Sequence, residues 1–291
     1  MSESGHVVWP SAANKLWELD YVLADSPDVE GIAVSQVRFR DRLVLWKASL
    51  PSLRVQYNGN ACGPYKDPLN YNDSQASTRC PGSRVCVFTY SSGGHQCLGL
   101  QSDYRIGSYR LIQYFVFVDD GRILCRLYSA GLQCNATHRH HVYWRLDFDI
   151  EGSANDVGLE YNTYTPNIGW GPGWHLKNPE IARTKNPASQ RSWAVMDKGS
   201  GRGYFVLPGP NDGVADSFSS RDIWFLRYHG NEDQHGRQGS ASDDGLAPLL
   251  NGENLDGQDI VVWYCSHLEH HAEDGGDDWH SAGPDLVPFN W

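Results

Sequence analysis

Alternation of apolar and polar residues, the pattern of a β-strand with one buried face, dominates the chain. It is clearest in Gly31 to Arg40 (GIAVSQVRFR) and His141 to Ile150 (HVYWRLDFDI). Apolar or β-branched runs predict further strands over 42–48, 108–118, 122–128, 192–196, 203–207, 222–228 and 259–265. Helical periodicity is nearly absent and is best between Ser11 and Leu23.

Many short strands separated by Gly/Pro turns and long loops predict an all-β fold, a large β-sandwich. The run 108–118 ends at Asp119-Asp120-Gly121, a tight-turn signal, so it should form a hairpin with 122–128. Residues 231–257 are polar, Gly-rich and acidic, which predicts a long surface loop. We expect one domain over residues 30–291, with residues 1–29 as an N-terminal extension packing on it.

Charge and hydropathy narrow the functional classes. The 291 residues contain 24 Lys and Arg against 35 Asp and Glu, a formal net charge of −11, which argues against a nucleic-acid partner. No apolar run reaches the roughly 18 residues of a membrane-spanning helix, so no membrane association is expected. Residues 1–20 lack the apolar stretch of a signal peptide, which predicts a cytoplasmic protein.

The seven cysteines include four in one Gly/Ser/Pro-rich stretch. These are candidates for one or two disulfides: Cys62, Cys80, Cys86 and Cys97. Cys125 and Cys265 lie in apolar runs and are expected to be buried thiols. Because no CxxC pair occurs, a cysteine-ligated zinc site is not expected.

The sharpest chemical signal is His138-Arg139-His140. Residues i and i+2 of a strand point to the same face, so both imidazoles can reach one metal ion. Taken alone, such a pair is more often two surface histidines. His270, which follows the strand at 259–265, would complete a three-histidine site that holds copper or zinc with positions open.

Other polar residues near these strands have two readings. His141, His267 and His271 flank the proposed ligands and either support them or are merely solvated, the latter being favoured for His271. Asp147, Asp149 and Asp259 suit a hard cation such as Ca²⁺ or form an exposed polar face. A cupin site is a weak fit, since its last histidine would lie much nearer to the first pair.

Several segments together resemble the copper-containing amine oxidases. Arg145 to Gly152 (RLDFDIEG) after His-x-His is similar to that family's Arg-Leu-Asp-x-Asp strand, and Asp256 to Trp263 before His270 is similar to the strand with its third copper histidine. Asp222-Ile223-Trp224 and the closing Leu286 to Trp291 also resemble family segments. The likeness runs from about residue 30 to 291 and covers the catalytic domain alone.

The resemblance implies an oxidase of primary amines that uses O₂ and releases H₂O₂. By position it implies copper ligands His138, His140 and His270, and a possible second cation, calcium, at Asp147, Asp149 and Asp259. Tyr109 corresponds to the tyrosine that becomes the family's quinone, topaquinone (TPQ). Asp73, in Asn70-Tyr71-Asn72-Asp73, corresponds to the catalytic base. The family also implies a homodimer.

Departures from the family pattern leave alternatives open. Ser108 and Arg110 replace the Asn and the acid that flank the family's tyrosine. The cationic Arg110 would either repel a protonated amine or occupy the substrate channel. Trp170 and Trp174, in a Gly/Pro-rich loop, are candidates to line a substrate mouth. The second hypothesis is a metal-dependent tailoring enzyme of secondary-metabolite biosynthesis with Tyr109 unmodified. The third is a binding module without catalysis.

Overall fold

The computed structural model describes residues 1–25, 31–67, 69–163, 173–216, 219, 221–230, 232 and 245–291. Within these ranges the helices are single 3-10 turns: Ala12–Asn14, Asn58–Asn60, Pro187–Ser189 and Ala247–Leu249. All other regular structure is strand, which confirms the all-β prediction. None of the described helices is long and apolar enough to span a membrane.

The described residues form twenty strands. In chain order they are β1 (Ser2–Trp9), β2 (Trp17–Ala24), β3 (Ile32–Phe39), β4 (Arg42–Tyr57), β5 (Tyr65–Asp67), β6 (Ser74–Gln75), β7 (Val85–Ser92), β8 (His95–Ile106), β9 (Tyr109–Val118), β10 (Ile123–Ala130), β11 (His138–Phe148), β12 (Asp156–Asn162), β13 (Gly173–Lys177), β14 (Ile181–Arg183), β15 (Ser192–Asp197), β16 (Gly203–Pro208), β17 (Ile223–Arg227), β18 (Ile260–His270), β19 (His280–Ala282) and β20 (Pro284–Phe289).

These strands make two antiparallel sheets. In the first, the order is β1-β2-β3-β4-β11-β18-β17-β14, with β5 paired to β4. In the second, it is β13-β12-β15-β16-β20-β10-β9-β8-β6, with β19 on β10 and β7 on β8. The first sheet contributes β4, β11 and β18 to the site described below, and the second contributes β9.

The two sheets enclose the main core. Alternate residues of β11 (Trp144, Leu146 and Phe148) point into it, and Trp144 meets Phe115 from β9. The intervening residue Tyr143 packs on the outer side of the first sheet in a smaller apolar cluster. Burying each large apolar side chain stabilises the fold by about 1.5–3 kcal/mol, so the alternation fixes which face of β11 looks inward.

The predicted strands are found, but the N-terminal region differs from the prediction. Ser11 to Leu23, the best helical candidate, contains one 3-10 turn and then β2. Trp17, Leu19 and Leu23 of β2 are buried, and the strand pairs with both β1 and β3. Residues 1–24 therefore extend the first sheet, while a domain boundary near residue 30 stays a prediction.

Two disulfides join Cys62 to Cys134 and Cys80 to Cys86. Three of the four candidate cysteines are thus paired, but Cys97 is a buried thiol, and Cys134 was not predicted. Cys125 and Cys265 are buried thiols, as predicted. The Cys62–Cys134 bond joins the segment after β4 to the segment before β11, beside the predicted site.

Candidate active site

The three predicted metal ligands come together between the two sheets. His138 and His140 lie on the inward face of β11, and His270 of β18 pairs directly with His138 across the antiparallel ladder. The ring centroids are 5.2 Å apart for His138 and His140, 4.9 Å for His138 and His270, and 5.3 Å for His140 and His270. One nitrogen from each ring lies within 4.8 Å of the others. We call this set the triad.

Burial prepares the triad for a metal ion. Burial lowers the pKa of His138. Burial and the neighbouring imidazoles lower the pKa of His140 well below its usual value. The pKa of His270 falls to about 3, through burial and the proximity of His138 and His280. The rings are therefore neutral near pH 7, the form that coordinates a metal.

The hydrogen-bonding pattern of the triad also fits a metal. Nδ1 of His138 donates to the carbonyl of Ala136 over 2.9 Å, which leaves Nε2 as the coordinating atom. Within the described residues, both ring nitrogens of His140 and Nε2 of His270 are buried without a hydrogen-bond partner. Buried polar atoms are rarely left in this state, so the donor set fits copper or zinc.

Tyr109 is held against the triad from the opposite sheet. It is the first residue of β9, directly after a tight turn in which Gly107 takes a positive φ of 57°. Its ring centroid lies 4.9 Å from that of His140 and 5.4 Å from that of His138. Its Oη lies 3.1 Å from Nε2 of His138, so the predicted phenol does face the metal ligands.

Tyr57, which the sequence analysis did not single out, holds this phenol. It ends β4, pairs with His138 in register and stacks on that ring with centroids 4.9 Å apart. The Oη atoms of Tyr57 and Tyr109 are 2.5 Å apart. Burial raises the pKa of Tyr57 to about 12, and burial together with Tyr57 raises the pKa of Tyr109 further. Both phenols therefore stay protonated at neutral pH.

Asp73 lies at the same end of the second sheet as Tyr109. Its backbone carbonyl accepts a hydrogen bond from the backbone amide of Arg105, near the end of β8, the strand that precedes β9. The side chain is partly exposed, and its pKa is raised by burial and by Asp25. The structure thus places Asp73 beside β8, at the end of the second sheet where β9 begins, while its role as base stays a prediction.

Asp67 is a second carboxylate near the phenol, and the sequence analysis missed it. In β5 it pairs with Leu53 of β4, two residues from Val55, which pairs with His140. Directly opposed residues share a face of the sheet, so Asp67 points toward the inter-sheet space that holds the triad. Its charge raises the pKa of both phenols, and burial and Asp73 raise its own pKa to about 7.

The segment after β18 covers the triad with further polar groups. The ring centroid of His280 lies 4.6 Å from that of His270, and its Nε2 lies 2.9 Å from Asp274. Arg110 points to the outer side of its sheet, donates to the carbonyl of Gly276 and pairs with Asp277 at 2.6 Å. Arg110 therefore contacts the covering segment rather than the triad, and direct substrate binding by it stays a prediction.

Of the two tryptophans predicted at a substrate mouth, Trp174 is not brought to the triad. Trp174 lies in β13, at the far edge of the second sheet, where it stacks on Phe205 with centroids 5.4 Å apart. Six strand spacings separate β13 from β9, roughly 30 Å at about 4.8 Å per strand. Trp170 lies outside the described residues.

The three predicted carboxylates do converge. Oxygens of Asp147, Asp149 and Asp259 lie within 4.8 Å of one another on the outer face of the first sheet. Burial and mutual repulsion raise the pKa values of Asp149 and Asp259 to about 7. Such repulsion is what a hard cation relieves, so this carboxylate cluster fits calcium.

Of the remaining histidines, His141 and His267 are buried on the opposite face of β11 and β18 from the triad, while His271 is exposed. The solvated reading is therefore wrong for the first two. Alternation along β11 predicts that His141 and His140 point to opposite faces of the sheet. The sequence did not show that the face carrying His141 is also buried.

Comparison with known proteins gives a family for this architecture. A model described as the copper amine oxidase enzyme domain matches residues 129–279, just over half of the chain. The matched range contains all three triad histidines and all three residues of the carboxylate cluster. It does not reach Tyr109, Asp67 or Asp73.

Solved structures of similar fold extend the likeness along the chain. A copper-containing benzylamine oxidase from Hansenula polymorpha superposes with a TM-score of 0.73 and 16% identity over 94% of this chain and 58% of that one. An Aspergillus nidulans amine oxidase gives 0.71 and 17% over 94% and 50%, and the Pichia pastoris lysyl oxidase gives 0.69 and 15% over 95% and 52%. The chain thus spans between half and three-fifths of their length, and at these identities the likeness shows the fold.

Proposed function

Because the chain belongs to the copper amine oxidase family, we propose that it is a copper-dependent oxidase of a primary amine that uses a topaquinone formed from Tyr109. The overall reaction would convert the amine, O₂ and water into an aldehyde, ammonia and hydrogen peroxide. The observation that carries the proposal is the convergence of three neutral imidazoles and one phenol, from the three strands β9, β11 and β18, in one buried site.

The triad would hold the copper ion, and Tyr109 would be the residue modified beside it. Together these groups would supply an electrophilic carbonyl for the amine and a route for electrons to O₂. Tyr57 would act by orientation, because its 2.5 Å hydrogen bond fixes the position of the phenol oxygen of Tyr109. Packing between the two sheets keeps bulk water from this oxygen.

A carboxylate near the phenol would take the proton from the carbon next to the amine nitrogen. Asp73 is supported by the resemblance to the family motif, and Asp67 by its burial and its inward position on β5. The pKa of about 7 suits Asp67 to this task, because a general base works best when its pKa is near the working pH. We propose Asp67 and Asp73 as a coupled pair in which either can hold the proton.

Substrate class, second cation, assembly and location complete the proposal. The names of two structural neighbours specify benzylamine and lysyl substrates, so benzylamine and a lysine-containing peptide are the first amines to test. Calcium at the carboxylate cluster and a homodimer are proposed with the function. A cytoplasmic location is also proposed. The two disulfides oppose it, because disulfides are typical of an oxidising compartment.

The decisive test is formation of the quinone. The metal-free protein would be loaded with copper in air, and its visible absorption and intact mass would be followed for the wild type and for Tyr109→Phe. We expect a visible band and a mass gain on the peptide containing Tyr109, and neither in the variant. Amine-dependent release of H₂O₂ should occur only in protein that shows the visible band.

A colourless, copper-loaded protein of unchanged mass would refute quinone use. Metal-dependent turnover that survives Tyr109→Phe would then favour the tailoring-enzyme alternative, which uses the triad directly. Failure to bind copper or zinc in stoichiometric amounts would favour a binding module without catalysis.

A further inference from the structure

Behind the triad, on the other face of the same two strands, two more histidines meet a carboxylate. His141 of β11 and His267 of β18 are paired in register, and their ring centroids lie 5.2 Å apart with the planes at 85°. Oδ2 of Asp216 lies 3.0 Å from Nε2 of His141. One donor atom from each of the three lies within 4.8 Å of the others. We call these three residues the rear cluster.

We propose that the rear cluster is a metal site of its own, in which His141, Asp216 and His267 bind a zinc ion. Two imidazoles and one carboxylate are a donor set that zinc takes in proteins, with water in a fourth position. Tetrahedral zinc holds its ligand atoms roughly 3.3 Å apart at bond lengths of about 2.0–2.1 Å. The His141–Asp216 distance already fits this value.

The state of His267 favours a metal over a purely hydrogen-bonded network. Its side chain is 1% exposed, and Nε2 pairs with Oδ1 of Asp222 at 2.8 Å. Within the described part of the chain, Nδ1 is buried without a hydrogen-bond partner. A buried imidazole that is held by a carboxylate through one nitrogen and keeps the other unpartnered, beside a second imidazole and a carboxylate, has the arrangement of a metal ligand.

The residues around the rear cluster would support such an ion. The backbone amide of Ser219 donates to Oδ1 of Asp216 over 3.0 Å, and Arg139 donates to Oδ2 over 3.1 Å, so the carboxylate is oriented from two sides. The backbone amide of His267 donates to Asp212 over 2.9 Å. Arg139 and Asp216 also line a surface cavity of about 290 Å³, which offers a path for the ion.

A zinc ion here would fasten the segment that carries Asp216 to the back of the first sheet. His141 follows the triad ligand His140 directly in the strand, and His267 pairs opposite it. The rear cluster would therefore stabilise the stretch of β11 and β18 that sets the spacing of the triad. This role depends on neither amine oxidation nor quinone formation.

The experiment counts zinc in protein whose triad is disabled. His138→Ala removes one triad ligand, and in that background His267→Gln removes a rear ligand while His271→Gln, an exposed neighbour, serves as the matched control. Each protein would be saturated with Zn²⁺, passed over a weak chelator and analysed for metal per chain. Zinc K-edge absorption of the His138→Ala protein would report the ligands.

We expect about one zinc per chain in the His138→Ala protein and in its His271→Gln derivative, and loss of that zinc with His267→Gln. The absorption edge should report two imidazoles and oxygen ligands. Should His267→Gln fail to fold, Asp216→Asn provides the same comparison. Absence of retained zinc in the His138→Ala protein, or equal zinc in the His267→Gln and His271→Gln proteins, would overturn the proposal.

Discussion

The Cys62–Cys134 disulfide is placed to hold the candidate active site together. Cys62 follows the strand that ends at Tyr57, and Cys134 precedes the strand that begins at His138. The bond joins residues 72 apart in sequence, whereas Cys80 and Cys86 are only 6 apart. A cross-link that closes a longer loop removes more entropy from the unfolded chain.

This difference gives a quantitative expectation. Removing the long cross-link should lower the free energy of unfolding by about 4 kcal/mol, and removing the short one by about 2 kcal/mol. The paired substitutions Cys62→Ser with Cys134→Ser, and Cys80→Ser with Cys86→Ser as the control, would be compared by urea unfolding. Copper affinity would be measured on both proteins without denaturant.

The site adds a second expectation. Without the Cys62–Cys134 bond, the segments that carry Tyr57 and His138 are free to separate, so copper should bind at least about tenfold more weakly, a loss of about 1.4 kcal/mol. The Cys80–Cys86 variant should bind copper as the wild type does. Equal stability losses in the two variants would refute the loop-entropy reasoning, and unchanged copper affinity would refute the positional role.

Three further predictions concern the phenol, the buried carboxylate and the carboxylate cluster. Tyr57→Phe should slow amine turnover by about tenfold or more, because a buried hydrogen bond worth about 1–3 kcal/mol is lost. The control Tyr65→Phe should have little effect, and equal turnover rates of the two variants in stopped assays would contradict the prediction. Turnover should rise as the pH passes about 7, where Asp67 ionises, and Asp67→Asn should lower kcat by about 10²–10⁴ and remove that dependence; a similar pH profile in the variant would assign the base elsewhere. Because the folded-state pKa of Asp67 lies above its unfolded value, its contribution to stability should fall as the pH rises from about 4 to about 7, and calorimetry should show a smaller fall in Asp67→Asn. Added Ca²⁺ should raise the melting temperature at pH 8 in the wild type and not in Asp149→Asn, and an equal rise in both would rule out the cluster as the binding site.

The metal ligands could be predicted from the sequence because strand geometry constrains them. His138 and His140 are two residues apart, which guarantees one face, and the resemblance supplied His270. Their meeting depends on β11 and β18 being neighbours, which the family likeness implied and the register confirms. Tyr109 followed from the same likeness.

Other parts of the site depend on pairings that one sequence does not reveal. Asp67 and Tyr57 matter because β5 and β11 pair with opposite edges of β4, and no local pattern encodes that register. Cys134 is far from Cys62 along the chain, so spacing could not pair them. The position of Arg110, by contrast, could be predicted from the sequence. Residues alternate between the two faces of a strand, so Arg110 lies on the outer face when Tyr109 points inward.

Strand β11 carries part of every metal cluster considered above, with triad histidines facing inward and both His141 and Asp147 facing outward. It pairs with β18 over eleven consecutive positions without a bulge. A single inserted or deleted residue between His141 and Asp147 would turn one end of the strand over relative to the other and dismantle a cluster. A change of two residues would instead keep every side chain on its face and move the outer sites apart or together by about 7 Å along the strand.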